Sequence, residues 1–121
     1  MVGGVPGGIH AVLYALFDAE ERLDRAAMRV QVNRMVAQGC DGITVLGLAT
    51  EVGKLTVPER LAVIDMVADD LAGRLPLSVT IAGNSVAEQA ALARHARAAG
   101  ASWLVLQPPV VGAYGAAVYL D

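Results

Sequence analysis

The residues able to do chemistry crowd into one stretch. Residues 45–55 read VLGLATEVGKL, which sets a glycine, a threonine, a glutamate and the chain's only lysine close together just after an apolar run. A lysine amine can condense with a carbonyl to give a Schiff base. To do so near neutral pH it must stay partly uncharged, which takes burial or a neighbouring cation. Lys54 falls in a loop heading towards a helix, so an exposed or loosely paired amine is expected there. The turn itself offers a different chemistry. Successive backbone N–H groups at a sharp strand-end turn can hold an anion such as a carboxylate. The plainer alternative is a strand-to-helix turn in which Glu51 caps local amides.

Other reactive residues point nowhere in particular. Cys40 follows a helix-ending glycine and has no base in view, so it reads as a small buried hydrophobe. As the only cysteine it can form no internal disulfide, which fits a reducing, cytoplasmic setting. His10 and His95 are far apart and lack a carboxylate pattern, so neither a metal site nor a cofactor is expected. Gly83-Asn84 is too short to cradle a dinucleotide or a phosphate chain.

These residues must be positioned by regular elements, and short apolar runs alternate with helical patterns along the chain. IHAVLYAL at 9–16, ITVLG at 43–47, LSVTIA at 77–82 and WLVL at 103–106 read as strands. From Arg25 to Gln38 the residues Met28, Val32, Met35 and Val36 form one helical face, stopped by Gly39. A second helix is expected from about Pro58, with Thr56 and Glu59 as a capping box and Leu61, Ile64, Ala68 and Leu71 as its stripe. Ser85 and Glu88 cap a third helix that ends at Gly100. FDAEERLD at 17–24 is a polar connection, and QPPVVGAYG breaks all regularity.

Four strand–helix units, the last incomplete, imply a parallel sheet with helical crossovers. The candidates are part of a (βα)8 barrel or a small doubly wound domain; no glycine-rich nucleotide fingerprint supports the second. With 121 residues the chain is expected to be one domain, 1–121. Hydrophobic residues make up 55% and charged ones 17%, so much of it expects burial. A net charge of -3 gives no basic footprint for nucleic acid. MVGGVPGG lacks the form of a signal peptide, and no apolar run approaches the roughly 20 residues that a membrane span needs.

GITVLGLATEVGKL resembles the GTTGE strand-end loop of the dihydrodipicolinate synthase and N-acetylneuraminate lyase family. FDAEERLD resembles that family's Phe-Asp turn after the first strand, and VAQGCDGITVLG its joint from helix to second strand. TIAGNSVAEQAALARHARAAGA resembles its third strand, Gly-Asn loop and following helix, and LQPPVV stands where the family has PPYY. The resemblance spans nearly the whole chain. It implies an α/β fold of parallel βα units, the N-terminal half of a (βα)8 TIM barrel, whose complete form takes ~250 residues.

It also implies an aldolase or lyase acting on pyruvate or another 2-oxo acid through a lysine Schiff base. That lysine would sit on a strand beyond this chain, so no catalytic residue is expected within it. Active-site residues lie at the C-terminal ends of barrel strands. Gly47, Leu48, Ala49, Thr50 and Glu51 are therefore the candidate substrate-binding residues. Gly47 and Glu51 match the family loop, Leu48 and Ala49 replace its two relay threonines, and Thr50 replaces its second glycine. Val110 takes the place of a tyrosine that reaches across a subunit interface. The expected partners are a small 2-oxo acid and either a second copy of the chain or a missing C-terminal half. The competing reading is a non-catalytic α/β module that binds a small carboxylate or another protein.

Overall fold

The computed structural model describes residues 7–108. Four parallel strands lie in the order β1 (His10–Val12), β2 (Gly42–Val45), β3 (Leu77–Ile81) and β4 (Trp103–Leu106). Helices α1 (Arg25–Ala37), α2 (Val57–Leu71) and α3 (Val86–Ala98) make the crossovers. This is the expected alternation, with each strand paired to the next in sequence.

Each helix starts where a short polar side chain can take an orphan N–H. Asp24 accepts from Ala27 N at 2.9 Å, Thr56 from Glu59 N at 3.3 Å and Ser85 from Glu88 N at 3.1 Å. The two expected capping boxes close differently. Glu59 accepts the Thr56 hydroxyl at 3.0 Å, and Glu88 accepts Asn84 N at 2.9 Å, so neither carboxylate takes the N–H of its own cap residue.

Successive side chains of a strand point to opposite faces. Leu13, Ile43, Val45, Leu77, Val79 and Ile81 share one buried cluster with Met28, Val32, Val63, Ile64, Val67, Leu71, Leu92 and Ala96 of the helices. The buried arc of α2 is centred on Val63, Ile64, Val67 and Leu71, while Leu61 and Ala68 of the expected stripe are only half-buried. The helix lies between α1 and α3, so its edges face neighbouring helices and its centre faces the sheet. Along the α1–α2 seam the almost fully covered Asp70 carboxylate binds Arg25 (2.8 Å to Nη2) and Arg29 (3.0 Å to Nε). Burial pushes Asp70 up, but the hydrogen bonds from Arg25 and then Arg29 outweigh it. The carboxyl is held below its usual range, and Arg25 is correspondingly raised.

The opposite face of the sheet carries His10, Gly42, Thr44, Ser78, Thr80 and Trp103. Thr44 and Ser78 join hydroxyls at 2.6 Å, and the His10 ring meets Trp103 edge-on at 4.8 Å between centroids. Glycine at 42 is required, because a Cβ there would stand 2.0 Å from His10 Nδ1.

β1 is shorter than the expected 9–16. Its ladder covers His10–Val12, and Leu13 N adds one more bond to Thr44 O at 3.0 Å. Beyond it, the Gln31 side chain replaces a strand neighbour: Tyr14 N donates to Oε1 at 2.8 Å, and Nε2 donates to Tyr14 O at 3.0 Å. β2 has already turned away at Leu46, whose φ is 62°. FDAEERLD is more than a connection, since Asp18 Oδ1 accepts from Glu20 N at 2.9 Å and Arg22 N at 3.0 Å to fold it into a tight turn.

Candidate functional site

The loops after β2, β3 and β4 meet at one edge of the sheet, as the sequence leads one to expect. They enclose a cleft of about 760 Å³ whose walls include Leu48, Glu51, Lys54, Gly83, Asn84 and Gln107. Arg60 spans the cleft, donating from Nε to Leu55 O at 3.3 Å and from Nη1 to Ala82 O at 3.1 Å. One guanidinium therefore joins the end of the β2 loop to the end of β3.

The β2 loop is two consecutive 3₁₀ turns, Leu48–Thr50 and Val52–Lys54, held by Thr50 N to Gly47 O at 3.1 Å and Glu51 N to Leu48 O at 3.0 Å. The N–H groups of Leu48 and Ala49 find no acceptor among the described residues. Two non-glycine residues with left-handed backbone flank the turn, Leu46 at φ 62° and Glu51 at φ 55°. That conformation costs a side-chain-bearing residue free energy, so the loop's shape is imposed by its surroundings. Leu46 is fully buried, which shows what imposes it.

The five candidate residues separate. Leu48 and Glu51 line the cleft, and Leu48 is 89% exposed. Ala49 is exposed but outside the cleft wall, and Gly47 is buried beneath it. Thr50 is turned inward, 2% exposed, and its hydroxyl donates to the Leu13 carbonyl. Glu51 caps no amide; its Oε1 pairs with Lys54 Nζ at 2.9 Å. Lys54 is the exposed, paired amine that the sequence implies, at 76% side-chain exposure. Cys40 is half-buried and donates to Met35 O at 3.2 Å. His95 pairs with Asp65 at 2.8 Å, away from His10. No group of three or more metal-ligating residues forms among the described residues. Val110 lies outside the described residues.

Two residues escape a reading of motifs. Arg60 sits in the first turn of α2, where a cation opposes the helix dipole, and that misplacement is its only signal. Thr80 alternates with Ser78 on the face of β3 turned away from the helices, a period-two pattern of hydroxyls in an apolar strand.

The model of the Dihydrodipicolinate synthetase family matches residues 5–112. A 4-hydroxy-tetrahydrodipicolinate synthase of Azoarcus sp. is 34% identical over 97 residues, which are 80% of this chain and 33% of that protein. Among solved structures, YagE is a prophage protein of Escherichia coli K12 belonging to the dihydrodipicolinic acid synthase family, solved in complex with pyruvate. It is 27% identical, with a TM-score of 0.87 over 92% of this chain and 37% of its own. The dihydrodipicolinate synthase of Aquifex aeolicus is 29% identical with a TM-score of 0.81, over 86% of this chain and 35% of its own. The chain thus spans about a third of the length of the relatives it matches. No helix among the described residues is long and apolar enough to cross a membrane.

Proposed function

Since this chain belongs to the dihydrodipicolinate synthetase family, we propose that it forms the carboxylate-binding side of a site for pyruvate or another 2-oxo acid. Its fold is that of the N-terminal strands and helices of the family's (βα)8 barrel. The observation that carries the reading is the pair of adjacent N–H groups at Leu48 and Ala49. They are unpaired among the described residues, at the C-terminal end of β2, where barrel enzymes keep their active sites. A carboxylate there meets two donors whose direction is held by the turns on either side.

In this reading the chain binds and orients; it does not supply the nucleophile. Lys54 is exposed and ion-paired with Glu51, so its amine lacks the burial expected of a Schiff-base lysine. The Schiff-base lysine belongs to a later strand of the full barrel. The loop carries no relay hydroxyl at Leu48 or Ala49, which fits an aldol partner different from that of dihydrodipicolinate synthesis. The half-exposed Leu104, Val105 and Leu106 of β4 are where the remaining strands, or a second copy of the chain, would add to the sheet.

The test is a titration of the ¹⁵N-labelled chain with pyruvate. The amide signals of Leu48 and Ala49 should move first and saturably. Shifts confined to other regions, or no shifts at all, would rule the site out.

A further inference from the structure

The loop after β2 is fastened by side chains at two points. Near its start the Thr50 hydroxyl donates to the Leu13 carbonyl. At its exit the Leu55 carbonyl accepts from Arg60 Nε at 3.3 Å, and the same guanidinium donates from Nη1 to the Ala82 carbonyl at 3.1 Å. Ala82 directly follows β3, and the carbonyl before it, that of Ile81, already accepts from Gln107 N at 3.0 Å. Arg60 therefore takes the next carbonyl beyond the β3–β4 ladder and ties the loop to it.

Nothing local explains an arginine at this position. It stands in the first turn of α2, where the helix dipole disfavours a cation. No carboxylate pairs with it among the described residues, although Glu51 and Glu88 line the same cleft. Glu51 is held by Lys54, and Glu88 accepts from Asn84 N. The described bonds of the guanidinium run instead to two backbone carbonyls, one from the β2 loop and one from the end of β3. A planar fork whose donors are fixed in direction suits a two-point tie of this kind, and a single amine does not.

We propose that Arg60 is a positioning residue of the 2-oxo acid site: by holding the exit of the β2 loop against the end of β3, it fixes the direction of the Leu48 and Ala49 N–H groups. The proposal rests on the reading of the site given above. In this role Arg60 acts through the loop and touches no substrate. A loop released at its exit spends less time in the binding arrangement, and apparent affinity falls by that fraction.

The test compares pyruvate affinity, by titration followed by NMR, for the unaltered chain, Arg60→Met and Arg60→Lys. Methionine keeps much of the apolar stem and removes every donor; lysine keeps the charge and loses the fork. Both should weaken binding about tenfold, as expected when hydrogen bonds that hold the loop are lost. A lysine variant that binds as tightly as the unaltered chain would overturn the proposal, because charge and not the tie would then be responsible. So would a methionine variant of unchanged affinity, which would leave the Leu48–Ala49 site standing. A second measurement needs no variant. Coupling is reciprocal, so a tie that favours pyruvate is itself favoured by pyruvate. Saturating pyruvate should slow solvent exchange of the Arg60 Nε–H severalfold in the unaltered chain. An unchanged rate would overturn the proposal, since an arginine that only supports the fold does not respond to the ligand. An unaltered chain that binds no pyruvate would overturn the site and this proposal together.

Discussion

The Thr50 hydroxyl donates to the backbone carbonyl of Leu13, 37 positions earlier in the chain. The loop after β2 is thereby fastened to the end of β1, and the residue that looks like a substrate contact is a structural tie. Thr50→Val should destabilise the chain by about 2 kcal/mol, because it leaves a buried carbonyl unpaired. Thr50→Ser should recover most of that loss. Urea unfolding followed by circular dichroism would measure both; a valine variant as stable as the parent would show that the tie is weak.

The Asp70 carboxylate should make stability depend on acid pH. Its native pKa lies below its ordinary value. The unfolded chain therefore takes up the proton first as pH falls. Stability from this group is fully present above the ordinary carboxylate range, which is near pH 4, and is lost as pH drops through the lowered native value. Asp70→Asn should cost about 2 kcal/mol at neutral pH and flatten the acid limb of the stability profile. Midpoints of urea unfolding collected between pH 2 and 7 would show whether the limb flattens.

Ala72 ends α2 in the left-handed region, with φ 48°. A glycine there pays no Cβ penalty, so Ala72→Gly should stabilise the chain by about 1 kcal/mol and raise the thermal midpoint by several degrees. A lower midpoint would mean that the Ala72 methyl contributes packing that the strained backbone conceals.

Lys54 should form no imine. Borohydride reduction in the presence of pyruvate, followed by intact and peptide mass spectrometry, should leave the chain unmodified. A reduced pyruvyl adduct on Lys54 near neutral pH would contradict the view that this exposed amine, paired with Glu51, is not the nucleophile.

The chain on its own should self-associate. Strand β4 exposes Leu104 at 42%, Val105 at 44% and Leu106 at 53%, a combination of apolar side chains and strand edge that favours pairing with another chain. Light scattering at increasing concentration should report a rising mean mass. A constant monomer mass with cooperative unfolding would count against it.

Much of the architecture can be read from the chain, because local rules decided it. The period-3.6 face containing Met28 and Val32, the cap residues Thr56 and Ser85, and the β-branched run from Leu77 to Ile81 each depend on neighbours within a few residues. Parallel pairing then followed from the lengths of the helical crossovers. The motif at residues 47–51 likewise identified the loop and its place at the strand ends.

Tertiary structure decided which of those residues reach the cleft. Thr50 and Thr80 carry the same side chain and both are nearly sealed from solvent. The first is satisfied by the carbonyl of Leu13, a partner brought near only when β1 and β2 pair. The second sits beside Gly47, because β3 lies next to β2 and its alternation turns residue 80 away from the helices. Hydrogen-bond satisfaction depends on contacts distant in sequence. The order of residues therefore locates the loop, while the packed sheet determines which of its residues line the cleft.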